Sequence, residues 1–499
     1  MFAAWRGMTL KTLIKRYFCS IADYKSALKA LHSLQSNAEY LNLSTRKNWN
    51  NSYKLYDTEK YLLRTAITLE KLDTLSVIHV AGTKGKGSSC AYAEAILREH
   101  GYSTGFYSSP HLVTIRERIK INGQPISESL FTEYFWKIYK KLKDAKEHEF
   151  DMPTYFNFLT ILMFNIFLDL NIDVAVIEVG IGGLKDCTNI VRNPVCVGIT
   201  SLALDHTSLL GTTLEDIAYQ KSGIFKPNTI AFSVPQHPRA MEVLEKRAVE
   251  ENCTLHVVPP FEDYKWENLS PILKIRNSVQ QQNASLAIQM ATAWITSKTN
   301  KRSSVTHNIL NTSECINRHM DKIATGLSSC KWAGRMQILE TTVASFYLDG
   351  AHTIESIQCC ISWFNNVTSG SGKKNILIFN VSGKRDSKSL LTLIKSLQFE
   401  KAYFVPNYAG IKTVDDEANH YLSIESQVQC SKNAEFWGAG SVVANTVSEV
   451  LQEIKKDNLK LQFNYNDDEK YQVLVTGSLH LVGAVLAILD PNLTMTTQF

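Results

Sequence analysis

A glycine-rich loop between a short apolar strand and a helix is the feature that most constrains the fold of this chain. The run Ser76–Ala81 predicts a buried strand, Gly82–Ser88 (GTKGKGS) a tight turn, and Ser88–His100 a helix. Backbone N–H groups at a helix N-terminus form a cradle for phosphate, and glycines let that backbone close on the anion. Lys86 is placed to reach β- and γ-phosphates, and Ser88 to hold Mg²⁺. We therefore predict a phosphate loop; the alternative is a glycine-rich turn that only closes a βα unit.

The loop departs from the standard Walker sequence, because Gly87 stands between Lys86 and Ser88. A P-loop switch protein or a nucleic-acid-binding module would have the standard Gly-Lys-Ser/Thr order and a basic stripe. The chain carries 53 Lys and Arg against 48 Asp and Glu, a net charge of +5 over 499 residues. This charge is too weak to indicate nucleic acid, so we predict no nucleic-acid partner.

The strand–glycine–helix pattern recurs along the chain. Asp173–Val179 and Val195–Thr200 are further apolar strands, and residues 23–75 predict helices because apolar side chains recur at helical spacing. Such alternation indicates an α/β fold with a mostly parallel sheet covered by helices.

Two apolar runs, Phe158–Ile172 and Val473–Leu489, are interrupted by polar residues or glycines. We therefore predict that both lie in the buried core and that the chain has no integral membrane segment.

A change of composition predicts a second domain. Residues 297–331 are rich in Ser, Thr and Asn, and we predict a linker or surface excursion there. The preceding domain would span residues 23–296 and the following one residues 332–499. The predicted strands of the second domain are Ser345–Leu348, Asn375–Asn380, Lys401–Val405 and Gln472–Thr476.

The N-terminal residues predict a targeting sequence. Residues 1–22 contain Arg6, Lys11, Lys15 and Arg16 and no acidic residue, which is typical of a mitochondrial presequence. The alternative is an ordinary N-terminal helix with a basic face, and initiation at Met8 would give a shorter, cytosolic form.

The ten cysteines show no CxxC spacing, so we predict neither a zinc site nor a disulfide scaffold. We predict that the chain lies in a reducing compartment.

Long polar motifs, in order along nearly the whole chain, resemble the folylpolyglutamate synthase family of the Mur ligase superfamily, in its eukaryotic form. The matching segments are Ala27–Leu41, Val77–Ser88, Ser108–Gly123, Ile177–Gly183, Asp186–Asn189, Asp205–Lys226, Gln281–Ala287, Trp332–Gln337, Leu348–Thr353 and Val475–Gly483. The resemblance implies an N-terminal P-loop domain and a C-terminal Rossmann-like domain with the active site between them.

The resemblance also implies a reaction. The family adds L-glutamate to the γ-carboxylate of folyl-(poly)glutamate, with ATP forming an acyl phosphate that the amine attacks. The alternative within the same chemistry is dihydrofolate synthase, which joins glutamate to dihydropteroate. A non-catalytic relative is disfavoured, because every implied catalytic position is occupied. The implied cofactors are Mg²⁺, ATP as substrate and a monovalent cation such as K⁺. The implied protein is a monomer in the mitochondrion (matrix or inner membrane-associated), in the cytoplasm, or in both.

Some of the implied site residues have a simpler alternative. The ATP-binding set is Gly82, Thr83, Lys84, Gly85, Lys86, Gly87, Ser88, Asn283, Arg335, Asp349 and His352. The metal ligands are Ser109, Glu178 and His206, and the catalytic residues are Lys86, Lys221 and His206. From the residues alone, Glu178 is equally a strand-end carboxylate satisfied by loop amides, His206 a loop histidine, and Lys221 an exposed helix lysine. The family lysine at the position of Lys221 is carbamylated.

A basic loop and an aromatic segment are the predicted folate site. His111, Arg116 and Tyr155 are the candidate residues, since polyglutamylated folates are polyanionic and a pterin ring is flat. The alternative for Tyr155 and the neighbouring Phe156 is core packing.

Overall fold

The computed structural model describes residues 23–34, 53–266, 269–271, 273, 278–299, 312–381, 385–411, 423–465 and 471–497. These residues divide into two compact units. The first contains the described residues before His111 together with Arg116–Cys330, and the second contains His111–Ile115 together with the described residues from Lys331 onward. The predicted presequence, residues 1–22, lies outside the described residues.

The first unit is built on a mostly parallel sheet. Its strands are β1 Val77–Ala81, β2 Thr104–Tyr107, β3 Ile119–Ile121, β4 Gln124–Pro125, β5 Val174–Glu178, β6 Cys196–Ile199, β7 Ile230–Ser233 and β8 Thr254–Val257. They lie in the order β4-β3-β2-β5-β1-β6-β7-β8. Among these strands, the antiparallel pairs are β2 with β3 and β3 with β4, and all other pairs are parallel. Because β5, β1 and β6 are parallel neighbours, the loops after them meet at one edge of the sheet.

Helices cover this sheet. They are α1 (residues 23–32), α2 Tyr53–Arg64, α3 Leu69–Leu72, α4 Lys86–Glu99, α5 Glu128–Asp144, α6 Tyr155–Asp169, α7 Thr207–Leu210, α8 Leu214–Ser222, α9 Pro238–Glu250, α10 Ser278–Thr299 and α11 Thr312–Ser329. Tyr24, Leu28 and Leu31 of α1 are buried, as their helical spacing predicted. Helix α4 begins at Lys86 rather than at the predicted Ser88, because Gly85 adopts the left-handed conformation and forms its N-cap.

The prediction of a linker over residues 297–331 needs correction. Thr312–Ser329 forms helix α11, and the first unit extends to Cys330. Ile323 and Leu327 of α11 are buried, and a Cβ at Gly326 would lie 2.8 Å from the Cα of Ile96 in α4. The polar composition concealed an amphipathic helix that buries Met320, Ile323 and Leu327. Residues 300–311 lie outside the described residues.

The second unit has its own, mostly parallel sheet. Its strands are β9 Gln337–Glu340, β10 Ala344–Leu348, β11 Asn375–Phe379, β12 Lys401–Phe404, β13 Ser441–Val443 and β14 Tyr471–Thr476, and its helices are α12 Ile354–Thr368, α13 Ser387–Ile394, α14 Ser423–Trp437, α15 Val447–Tyr465 and α16 Leu479–Leu489. The strand order is β13-β12-β11-β14-β10-β9, with only β9 antiparallel to its neighbour among the described strands. Alternate strand residues enter two cores: Phe346 faces one and Tyr347 the other.

The two parallel sheets confirm the predicted α/β fold class. The four strands predicted for the second unit are present within a residue of their expected ends, whereas β9 and β13 were not predicted. None of the described helices has the length and apolarity that a membrane crossing requires. The apolar run that begins at Phe158 lies largely in the buried helix α6, and the run that begins at Val473 lies in β14 and α16.

Candidate active site

The phosphate loop has a backbone that only glycine fits at two positions. Gly82 has φ +148° and Gly85 has φ +95°. A Cβ at Gly82 would lie 1.8 Å from the Oγ1 of Thr200, and one at Gly85 would lie 2.2 Å from the Oδ1 of Asn283. The loop is therefore pressed between the end of β6 and helix α10, with its shape fixed by close packing.

Backbone hydrogen bonds hold the loop against the segment after β6. The N–H groups of Thr83 and Lys84 both donate to the carbonyl oxygen of Ser201, over 2.9 and 3.1 Å. The Thr83 hydroxyl donates to the Ala203 carbonyl oxygen and accepts from the Ala203 N–H, each over 3.1 Å. Thr83 thus anchors the loop through its side chain. The side chains of Lys84 and Lys86 make their contacts elsewhere.

Three lysine side chains lie around the loop. The Nζ of Lys84 lies 3.1 Å from the Oδ2 of Asp205. The Nζ atoms of Lys86 and Lys221 both donate to the carbonyl oxygen of Gly82, over 3.1 and 2.7 Å. Lys84, Lys86 and the protonated form of Lys221 thus place positive charge beside the loop backbone, which is the environment a phosphate group favours.

Lys221 is buried, not the exposed helix lysine that the sequence left open. Only 4% of the residue is exposed to solvent. Burial, and then the nearby charge of Lys86, lower its pKa to about 7. A large fraction of Lys221 is therefore the neutral amine near neutral pH, which is the nucleophilic form.

Glu178 makes the loop-amide contact that was one of its two alternatives from the sequence. Its Oε2 accepts a hydrogen bond from the N–H of Ser109 over 3.0 Å, and its Oε1 lies 4.0 Å from the Nζ of Lys86. The carboxylate is buried at the end of β5 and beside the loop that follows β1. A loop amide thus satisfies one oxygen, and the other faces the lysine of the phosphate loop.

His206 and Asn283 also lie at this edge. His206 has φ +51°, in the left-handed region, and burial lowers the pKa of its imidazole, which favours the neutral form that ligates metals. Asn283 is buried in α10, and its Oδ1 accepts from the Ser89 hydroxyl over 3.4 Å. Among the described residues, no three His, Cys, Asp or Glu side chains group as a metal site. A cation here would depend on Glu178, hydroxyl groups, waters and phosphate oxygens, a donor set that suits Mg²⁺.

Two aspartates at this edge were not predicted as site residues. Asp186 accepts from the N–H of Ile181 over 3.0 Å and from the N–H and hydroxyl of Thr188 over 3.0 and 2.6 Å. It thereby shapes the glycine turn after Glu178. Asp205 contacts both Lys84 and His206. Its Oδ2 pairs with the Nζ of Lys84, and its Oδ1 accepts a hydrogen bond from the backbone N–H of His206 over 3.0 Å. Both stand in the motifs that carry the resemblance, which was the available signal.

The predicted folate residues have different surroundings. Tyr155 opens α6, and its ring stacks on His32 at 5.9 Å with an interplanar angle of 19°. The guanidinium of Arg118 lies 5.7 Å from the same ring. Arg116 instead donates to the carbonyl oxygen of Ile126 over 3.0 Å. His111 belongs to the second unit and Tyr155 to the first.

The second unit brings Arg335, Asp349 and His352 to the end of β10. Asp349 is buried, and its oxygens accept from the N–H groups of Met336 over 2.8 Å and Ala351 over 2.9 Å. Burial raises the pKa of Asp349, while the charge of Arg335 opposes that shift. The Nδ1 of His352 lies 2.9 Å from the carbonyl oxygen of Gly350. Asp349 thus organises the turn between β10 and α12.

A P-loop α/β unit followed by a second, mostly parallel α/β unit is the two-domain fold of the Mur ligases. The apo folylpolyglutamate synthase of L. casei matches with a TM-score of 0.68 and 22% identity, covering 93% of this chain and 98% of that one. E. coli FolC in complex with ADP matches with a TM-score of 0.65 and 25% identity, over 87% and 93%. No family model matches the chain.

The chain is 37% identical to the mitochondrial folylpolyglutamate synthase of Bos taurus over 571 aligned positions, which cover 98% of this chain and 97% of that protein. The chain therefore belongs to the folylpolyglutamate synthase family, and the predicted resemblance and ligase class are confirmed.

Proposed function

We propose that this chain is an ATP-dependent ligase that adds L-glutamate to the γ-carboxylate of folyl-(poly)glutamate through an acyl phosphate. The observation that carries the proposal is the cluster of Lys84, Lys86 and Lys221 at a phosphate loop where Gly82 and Gly85 admit no side chain. Family membership supplies the substrates, since the Bos taurus relative is named a folylpolyglutamate synthase. Transfer of a phosphoryl group requires charge neutralisation and positioning, which this cluster provides.

The residues of the phosphate loop have proposed roles in that transfer. The N–H groups from Gly85 to Ser88 bind phosphate oxygens, since those of Thr83 and Lys84 already donate to the Ser201 carbonyl oxygen, and Lys86 binds the β- and γ-phosphates. Asn283 binds ATP beside Gly85, where its amide already lies. Arg335, Asp349 and His352 are proposed to bind ATP on the basis of the resemblance alone.

Mg²⁺ fits the donor set at the edge of the sheet. Glu178 offers a buried carboxylate oxygen, and Ser88, Ser109 and His206 complete the proposed ligands. The bound ion would screen phosphate charge and orient the γ-phosphoryl group. A monovalent cation such as K⁺ is part of the same proposal and rests on the resemblance only.

Lys221 is proposed to act as a carbamate. Its neutral amine attacks CO₂ at carbon and releases one proton, which replaces an ammonium by an anionic oxygen donor. The pKa of about 7 supports this, because the reaction needs the neutral amine. The product would support Mg²⁺, and mass spectrometry of the native protein in bicarbonate tests the proposal by a gain of one CO₂.

The acceptor decides between two ligases. We propose that His111, Arg116 and Tyr155 contribute to the folate site, and that a reduced folate is the acceptor. The test is ATP- and Mg²⁺-dependent incorporation of labelled L-glutamate into tetrahydrofolate or dihydropteroate, with Lys86→Ala as the control. Incorporation into tetrahydrofolate that is lost in the control supports the proposal. Incorporation into dihydropteroate alone assigns dihydrofolate synthase, and none with either acceptor contradicts the ligase function.

Location and assembly are also proposals. The Bos taurus relative is named mitochondrial, and we propose import directed by residues 1–22, with a cytoplasmic form initiated at Met8. We further propose a monomer without a nucleic-acid partner. Fluorescent fusions of the full chain and of a chain that begins at Met8 test the location, and light scattering tests the assembly.

A further inference from the structure

A fully buried carboxylate holds the segment that precedes helix α6. The side chain of Asp151 is 0% exposed. Its Oδ1 accepts hydrogen bonds from the Nζ of Lys60 over 2.9 Å and the hydroxyl of Tyr61 over 3.2 Å. Its Oδ2 accepts from a guanidinium nitrogen of Arg64 over 2.8 Å and the N–H of Glu147 over 3.0 Å. Each oxygen therefore has two donors.

This set of contacts keeps Asp151 charged. Burial alone raises the pKa of the carboxyl, but hydrogen bonds from Arg64, the Glu147 N–H and Lys60 outweigh it and hold the pKa below its ordinary value. Burial of a carboxylate costs free energy unless the carboxylate is fully paired. Removal of one partner leaves an unpaired buried charge, which destabilises the fold. The segment around Asp151 is therefore fixed firmly to α2.

Helix α2 also holds the first turn of α6. Lys60 and Arg64 lie four positions apart and so share one face of α2. From the same helix, the hydroxyl of Thr58 donates to the Oδ1 of Asn157 over 3.2 Å. The loop and the first turn that follows it are thus both attached to α2.

The first turn of α6 carries two aromatic rings of the candidate folate site. Tyr155 lies against the His32 ring and the Arg118 guanidinium. Phe156 packs on Gly180, where a Cβ would lie 2.6 Å from its Cζ, and Gly180 follows shortly after Glu178. A displacement of this turn would move both rings.

We propose that Asp151, held by Lys60 and Arg64, is a positioning residue that fixes the first turn of α6 so that Tyr155 and Phe156 bind the flat pterin ring of the acceptor. The inference rests on the proposed function. The contacts of Asp151 run to α2 and the segment before α6, whereas the phosphate loop joins β1 to α4. Loss of the carboxylate therefore weakens acceptor binding and spares the nucleotide.

Steady-state kinetics of Asp151→Asn test this. We expect the KM for tetrahydrofolate to rise about tenfold, with kcat and the KM for ATP within about twofold of the unaltered chain, because uniform acceptor binding is lost. The matched control is Glu147→Gln, which alters the exposed second partner of Arg64 and leaves Asp151 in place. Tyr61→Phe removes one of the four donors, and it gives a smaller rise in the same KM if Asp151→Asn fails to fold.

Hydrogen exchange without substrates provides a readout that does not need activity. We expect faster exchange over residues 154–160 in Asp151→Asn and unchanged exchange over residues 88–96 of α4. If the unaltered chain ligates no glutamate, the proposed function fails, and the exchange pattern alone decides the role of Asp151. Unchanged exchange over residues 154–160, or equal rises in the KM for acceptor and for ATP, would overturn the inference.

Discussion

The ammonium of Lys221 donates a hydrogen bond to the carbonyl oxygen of Gly82 over 2.7 Å, between residues 139 positions apart in sequence. Lys86 donates to the same oxygen over 3.1 Å. Helix α8 and the phosphate loop therefore share one acceptor. The charge that surrounds the loop is assembled from segments that only the folded sheet brings together.

Lys221 makes the stability of the first unit depend on pH. Its pKa is lowered from 10.5 to about 7, first by burial and then by Lys86. Between these values the unfolded chain binds more protons than the folded chain, so the free energy of unfolding rises with pH across that window. Lys221→Met should remove this slope, as measured by urea unfolding across the window in CO₂-depleted buffer. Lys185→Met, at an exposed lysine of the same unit, should retain it; equal slopes in all three proteins would contradict the assignment.

Lys86→Ala should abolish most of the ligase activity. The Nζ of Lys86 lies between the Gly82 carbonyl oxygen and Glu178, where it would neutralise phosphate charge. Loss of one preorganised charge at a transferring phosphoryl group costs about 10²-fold or more in kcat. ADP release in the presence of tetrahydrofolate and glutamate measures the effect, with Lys185→Ala as the control. Activity within about twofold of the unaltered chain would exclude Lys86 from phosphate binding.

Gly85→Ala should be more damaging than Gly101→Ala, although both glycines have positive φ. The left-handed conformation costs an L-residue about 1–2 kcal/mol at either position. A Cβ at Gly85 would also lie 2.2 Å from the Oδ1 of Asn283, whereas a Cβ at Gly101 has no heavy atom within 4 Å. Thermal unfolding and ATP binding by calorimetry should show lost nucleotide affinity for Gly85→Ala only. Equal effects of the two substitutions would mean that close packing of the loop is unimportant.

Asp349→Ala should destabilise the second unit as well as lower activity. The substitution leaves the buried N–H groups of Met336 and Ala351 without their acceptors, which costs about 1–3 kcal/mol. Denaturant unfolding measures the loss, and Glu355→Gln, an exposed carboxylate of the following helix, serves as the control. A fully stable Asp349→Ala protein with no activity would assign Asp349 to ATP alone.

The sequence predicted the parts of the fold that depend on local patterns. Val77–Ala81 forms a strand and Lys86–Glu99 forms a helix. The apolar run, the glycine turn and the helical spacing all favour this strand–turn–helix unit. The same local signal failed over residues 312–329, where polar composition hid an amphipathic helix. It also missed β9 and β13, which are only four and three residues long.

Sequence alone therefore determined the α/β class, the phosphate loop and the family, because those follow from short-range pattern and from long polar motifs. Tertiary structure decided the states of individual side chains. Burial turned Lys221 from an ordinary helix lysine into a group with a pKa of about 7. The four donors around Asp151 come from α2 and from a loop that lies far along the chain. Desolvation and hydrogen bonding depend on which distant segments meet, and no local spacing encodes that meeting.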